Sequence, residues 1–102
     1  MNMQQMQQMM KQAQQMQERL QKQMAELRVE GNAGGGMVTV VVNGGKQLLS
    51  IKLDPEVVSK DDLEMLQDLI VAAVNAGIVK SNEMMETEIE KVTGGVAIPG
   101  LV

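Results

Sequence analysis

The chain has 102 residues, of which 44% are apolar and none is Phe, Trp or Tyr, and its 13 acids outweigh 9 Lys and Arg for a formal charge of −4. That length makes one domain, burying only about 65% of the surface its unfolded form exposes. The missing aromatics exclude a base-stacking platform or an aromatic cage, and the absence of Cys and His excludes soft-ligand zinc sites, thiol chemistry and imidazole catalysis.

Without aromatic bulk the monomer has little to set against an ordering cost of about 1.5 kcal/mol per residue, so an oligomer is expected. The charge is uneven. Residues 1–30 carry +1 and residues 31–53 carry +2, whereas residues 54–90 hold ten acids against Lys60 and Lys80. No basic segment followed by an apolar run marks a leader at the start. The longest apolar run, Leu69 to Val79, is 11 residues with Asn75 inside it, short of the roughly 18 a membrane span needs. A soluble intracellular protein is the expectation.

In chain order, Met3, Met6, Met10, Ala13, Gln17, Leu20, Met24 and Leu27 step alternately by three and four, a heptad seam with one polar position at Gln17. Gln, Met, Lys, Glu and Arg favour helix, so one amphipathic helix of about seven turns is predicted, frayed at its start. The spacing makes the Met seam core, with an adaptable recognition surface as the other option and Met9 and Met16 left open.

From Leu27 the period changes to two, until Gly31 breaks it and a loop runs to Gly36. Met37 to Val42 is a β-branched strand, Asn43-Gly44 a turn, and Gln47 to Leu53 a third strand. Three antiparallel strands in sequence order follow, with Val38, Val40, Val42, Leu49, Ile51 and Leu53 on a covered face. Asp54-Pro55 ends the sheet. Ser59, Asp61 and Asp62 then begin a helix, as caps rather than metal ligands. It runs through Leu63, Leu66, Leu69, Ile70 and Ala73 towards Val92, with Gly77 a kink or close-contact point. Residues 93–102, with three Gly and Pro99, are expected to form an irregular tail. The fold class is α+β, in a single domain spanning 1–102.

Between Leu69 and Val79 the second helix is apolar nearly all round, so it must be covered on more than one side. A symmetric partner is the simplest source of that cover, and Leu66, Leu69, Ile70, Ala73, Ala76 and Gly77 are the candidate dimer face. The competing arrangement wraps helix 1 over the stripe within one protomer.

Catalytic signals fail on inspection. Gly45-Lys46 lacks the earlier Gly of a phosphate loop, where Val40 stands, and its Ser or Thr, where Gln47 stands. Gly34 to Gly36 precede a strand, not a helix N-terminus, and no imidazole activates Ser50, Ser59 or Ser81. Lys11, Arg19 and Lys22 along helix 1 are candidate phosphate contacts with their neighbouring Gln residues; the alternative is a solvated face with Glu18 and Lys22 paired.

Several stretches resemble the YbaB/EbfC family of bacterial nucleoid-associated proteins. They are Met10 to Gln17, Val29-Glu30-Gly31, the Gly-rich loop before Met37-Val38-Thr39-Val40, Asn43-Gly44, and Ile51-Lys52-Leu53-Asp54-Pro55. Asp62 to Ile70, Ala72 to Ala76, Thr93-Gly94-Gly95 and Pro99-Gly100-Leu101 continue the match across the chain. The resemblance implies a tight homodimer layered sheet, helices, sheet, which clasps double-stranded DNA with helical tips and little sequence preference, and genes neighbouring recombination and clamp-loading functions. It departs in ending Leu101-Val102 without an aromatic, and in placing Gly77-Ile78-Val79 and then a single Lys80 where the family is basic.

The combined expectation is a non-enzymatic homodimer of the bacterial cytoplasm and nucleoid, binding DNA backbone through Lys11, Arg19, Lys22 and Lys80, with a regulatory role attached. An adaptor for recombination, replication or clamp-loader proteins is the alternative. No cofactor, metal, membrane or small-molecule substrate is expected.

Overall fold

The computed structural model describes residues 2–93. Its elements are α1 (Met3–Glu26), β1 (Val29–Ala33), β2 (Val38–Val42), β3 (Leu48–Leu53), a 3-10 turn (Pro55–Val57) and α2 (Leu63–Thr93). The expected tail lies outside the described residues from position 94 onward, and Thr93 still belongs to α2.

The first helix is capped at both ends by its own sequence. The Asn2 side chain accepts from the Gln5 amide at 2.8 Å, and the Gln5 side chain accepts from the Asn2 amide at 3.4 Å, a reciprocal capping box. The Arg28 guanidinium donates to the Ala25 carbonyl at 2.7 Å and the Leu27 carbonyl at 3.1 Å. It satisfies acceptors that a helix end leaves free, so the helix stops without Gly or Pro.

The sheet has the order β1-β2-β3, antiparallel throughout. Val29 pairs with Val42 and Gly31 with Val40, while Val40 also faces Ile51 and Val38 faces Leu53. An irregularity between Val41 and Val42 shifts the second ladder, which adds local twist next to the Asn43 turn. Gly31 does not end β1 as expected. The strand continues to Ala33, and Gly31 is buried because α2 lies directly on it. A Cβ there would overlap the Ala73 carbonyl and the Gly77 amide, and would stand 2.7 Å from the Gly77 Cα. Only a residue without a side chain permits that approach.

α2 packs chiefly on β1 and β2. Val29, Val38, Val40, Val42, Val57 and Ala73 form the core cluster, with Leu66, Leu69, Ile70 and Val74 packed around it. Gly77 is the close-contact point, not a kink, since α2 continues unbroken. Asp62 caps the helix by accepting from the Met65 amide at 3.1 Å, while Ser59 accepts from the Asp61 amide in the turn before it. The third strand is left open: Leu49 and Ile51 are each 44% exposed, although the pairing of Ile51 with the buried Val40 puts it on the helix-facing side.

Candidate nucleic-acid interface

The second helix, the β2–β3 turn and the root of α1 meet in one junction. The Ser81 hydroxyl donates to the Asn43 carbonyl at 2.7 Å, in a fully buried contact. The Asn43 side chain accepts from the amides of Gly45 and Gln47 at 2.9 and 3.0 Å and donates to the Gln47 side chain at 2.8 Å. Next along the turn, the Gly44 amide donates to the Met24 carbonyl of α1 at 2.8 Å. A Cβ on Gly44 would meet the Met85 sulfur at 2.7 Å and the Met24 Cα at 2.9 Å. Leu20, Met24, Met85 and Ile89 line a cavity of about 150 Å³ beside it, with Gly44, Lys46, Asn82 and Glu86.

Beyond that root, α1 leaves the body. Leu20 is buried, yet every residue from Met3 to Arg19 is exposed, and the long axis of the molecule reaches 70 Å against 20 and 16 Å across. The free part spans about 25 Å at 1.5 Å per residue. The expectation that Met3, Met6 and Met10 are core is thus corrected for the described residues: all three side chains are exposed. For the same reason α1 does not wrap the exposed stripe of α2.

The cations lie on the other side of this arm. With the seam positions as a and d of a heptad, Lys11 falls at b, Arg19 at c and Lys22 at f, all pointing away from the seam. Among the described residues the one ion pair is Lys91 to Glu88 at 3.3 Å, so Lys11, Arg19 and Lys22 stand without a carboxylate partner. The Glu18–Lys22 pair does not form. Two long exposed side chains gain little from pairing in water and lose rotamer freedom by it.

Lys80 is exposed on α2, on a different element from the other three. It directly precedes Ser81, whose hydroxyl bonds the Asn43 carbonyl of the turn that in turn bonds the Met24 carbonyl of α1. The same junction places Lys46, which the sequence offered only in a phosphate-loop match that failed, with Leu20 and Met24 in the lining of one cavity and with a φ of 63°. The only sequence signal for it was its place in an Asn-Gly-Gly-Lys turn. Glu86 lines the same cavity, so the root is mixed in sign while the outer face of the arm carries mainly cations and Gln.

Of the candidate dimer residues, Ala73 and Gly77 are buried against the sheet of their own protomer, and neither is available to a second copy. Their small size serves the helix–sheet contact instead. Leu66, Leu69 and Ile70 are half-buried edges of that contact, and Ala76 is exposed. The open apolar surface includes Leu63, Met65, Val71, Val79 and Met84 on α2 with Leu48, Leu49 and Ile51 on β3.

No cluster among the described residues has three or more His, Cys, Asp or Glu placed to hold a metal ion, and no described helix is long and apolar enough to cross a membrane. The class defined by these features is an α+β protomer with a projecting first helix that carries Lys11 and Arg19 on its outer face. Residues 2–96 match the model of the YbaB/EbfC DNA-binding family, and the chain belongs to that family. It is 58% identical over 83 residues to a nucleoid-associated protein of Syntrophobacter fumaroxidans, covering 81% of this chain and 76% of the relative. A nucleoid-associated protein of Moorella thermoacetica is 50% identical over 99 residues, covering 97% and 95%. The crystal structure of an uncharacterized protein from Helicobacter pylori superposes with a TM-score of 0.75, covering 92% of this chain and 99% of that one at 22% identity, which bears on the fold alone.

Proposed function

We propose that the chain is a homodimeric protein of the bacterial cytoplasm and nucleoid that binds double-stranded DNA through its phosphates, with little sequence preference and a regulatory effect that follows from occupancy. The observation that carries this is the outer face of α1, where Lys11 and Arg19 on the arm and Lys22 at its root are exposed without carboxylate partners. Phosphate contacts give affinity without reading sequence. Lys80 and Lys46 extend the cationic surface at the root of the arm.

A second copy supports both halves of this reading. It would cover the apolar surface of Val71, Val79, Leu49 and Ile51, setting the helices between two outer sheets, and it would double the number of cations presented to one duplex. Three contacts from each of two arms release enough counterions that affinity falls about a thousandfold between roughly 50 and 200 mM salt. A gel-shift series on unrelated duplexes tests it: Lys11→Glu with Lys22→Glu weakens binding equally on every sequence, and no shift at low salt contradicts it. The alternative, an adaptor for recombination, replication or clamp-loader proteins, draws on the exposed Met side chains of α1. It requires that such a protein be retained by the chain after nuclease treatment.

A further inference from the structure

We propose that the free part of α1 pairs, antiparallel, with α1 of a second copy through its Met stripe. Met3, Met6, Met9, Met10 and Met16 are between 44% and 77% exposed, and all five fall at a, d or g of the heptad on which Ala13 and Leu20 also lie. Among the described residues nothing buries this stripe, and its spacing is that of a helix seam. Two such stripes buried together remove on the order of 1,000 Å² from water, the lower bound of a specific interface.

The occupant is identified by what flanks the stripe. The positions bordering it are Gln7, Gln14, Met9 and Met16, so no charge there selects a partner of opposite sign or repels an identical helix. A duplex is a poor occupant because the stripe offers a polyanion no cation. Lys11, Arg19 and Lys22 sit on the opposite side, so pairing and phosphate contact use different faces of one helix, and paired arms join two DNA-binding units.

Orientation follows from the junction. From Leu20 onward the seam faces the same protomer's α2, whose buried Met85 and Ile89 line one cavity with Leu20 and Met24. A parallel partner would have to run on through that space, whereas an antiparallel one ends before it. The register that fits sets Met6 against Met10 and Met3 against Ala13, with Met9 of each copy across the two-fold axis.

The absence of Cys gives the test a clean background. Single-thiol variants Met9→Cys, Gln8→Cys and Ala13→Cys are treated with a short bismaleimide. Gln8 is at the level of Met9 on the outer face, and two copies of Ala13 are separated by about 15 Å along an antiparallel pair. Met9→Cys is expected to give at least about tenfold more linked species than either control. Equal or absent linking at positions 8 and 9 overturns the pairing, and strong linking at Ala13 overturns the antiparallel register.

Mass measured by sedimentation separates this interface from the proposed body dimer. The wild-type chain is expected to reach four protomers with rising concentration, and Met6→Glu with Met10→Glu to hold it at two. A wild-type chain that stays at two, unchanged by those substitutions, overturns arm pairing and leaves the body dimer standing. Two protomers reduced to one by them would keep arm pairing and remove the body dimer.

Discussion

α1 is one helix with two environments, and the comparison between its root and its arm separates what holds this fold together from what the fold presents. At the root, Leu20 and Met24 are locked by backbone and side-chain contacts to Gly44 and Met85. On the arm the same heptad continues from Met3 to Arg19 with every residue exposed. The periodicity is continuous across the boundary, so an apolar stripe of helical spacing specifies that a surface will be covered without specifying by what.

Substitutions sharpen that contrast. The largest effect is expected at the helix–sheet contact: Gly31→Ala forces α2 off β1, because the obstructing atoms are backbone. A loss of about 3 kcal/mol or more is expected in urea unfolding, and a loss below 1 kcal/mol would contradict the packing described. Ser81→Ala comes next. It leaves the buried Asn43 carbonyl without its donor from α2, costing about 1–3 kcal/mol. The same melt monitored by limited proteolysis should expose the β2–β3 turn first.

On the arm the expectation reverses. Met6→Gln or Met10→Gln should change unfolding of the dilute protein by less than about 0.5 kcal/mol, the usual range for surface positions, and a larger loss would mean the arm packs on the body. Smallest of all is Asn2→Ala. It removes the capping box and frays the first turn, visible as a slight drop in helical circular dichroism with no shift in the unfolding midpoint.

Much of the fold was legible in the sequence because it is written in local periodicities. The alternation of three and four through α1, the β-branched run of β2, the Asn-Gly turn and the Asp cap before α2 all act over a few residues. What was not legible depends on distant partners. Gly31 reads locally as a breaker, and its role as a contact point exists only because Gly77 lies over it. Ala73 and Gly77 read as a surface for a second copy, and the side they face is decided by where the sheet docks. Leu49 and Ile51 alternate correctly for a covered face, yet one helix covers only two of the three strands.

For the proposed site, spacing singled out Lys11, Arg19 and Lys22, and the structure puts them on the outer face of α1, exposed and without ion pairs. Lys46 was missed because its relation to the α1 root runs through the Asn43–Ser81 and Gly44–Met24 hydrogen bonds, which no local pattern announces. The chain's net charge also misleads, since most of the acids belong to the segment from Asp54 to Glu90 and not to the arm.

The most direct test is a titration of one duplex at about 50 and 200 mM salt with the wild-type chain and with the Lys11→Glu, Lys22→Glu variant. The wild type should lose about a thousandfold in affinity between the two, and the variant should bind more weakly at the lower salt and lose much less on going to the higher. Equal affinities and equal salt dependence for the two proteins would contradict the assignment of α1 as the DNA-binding arm.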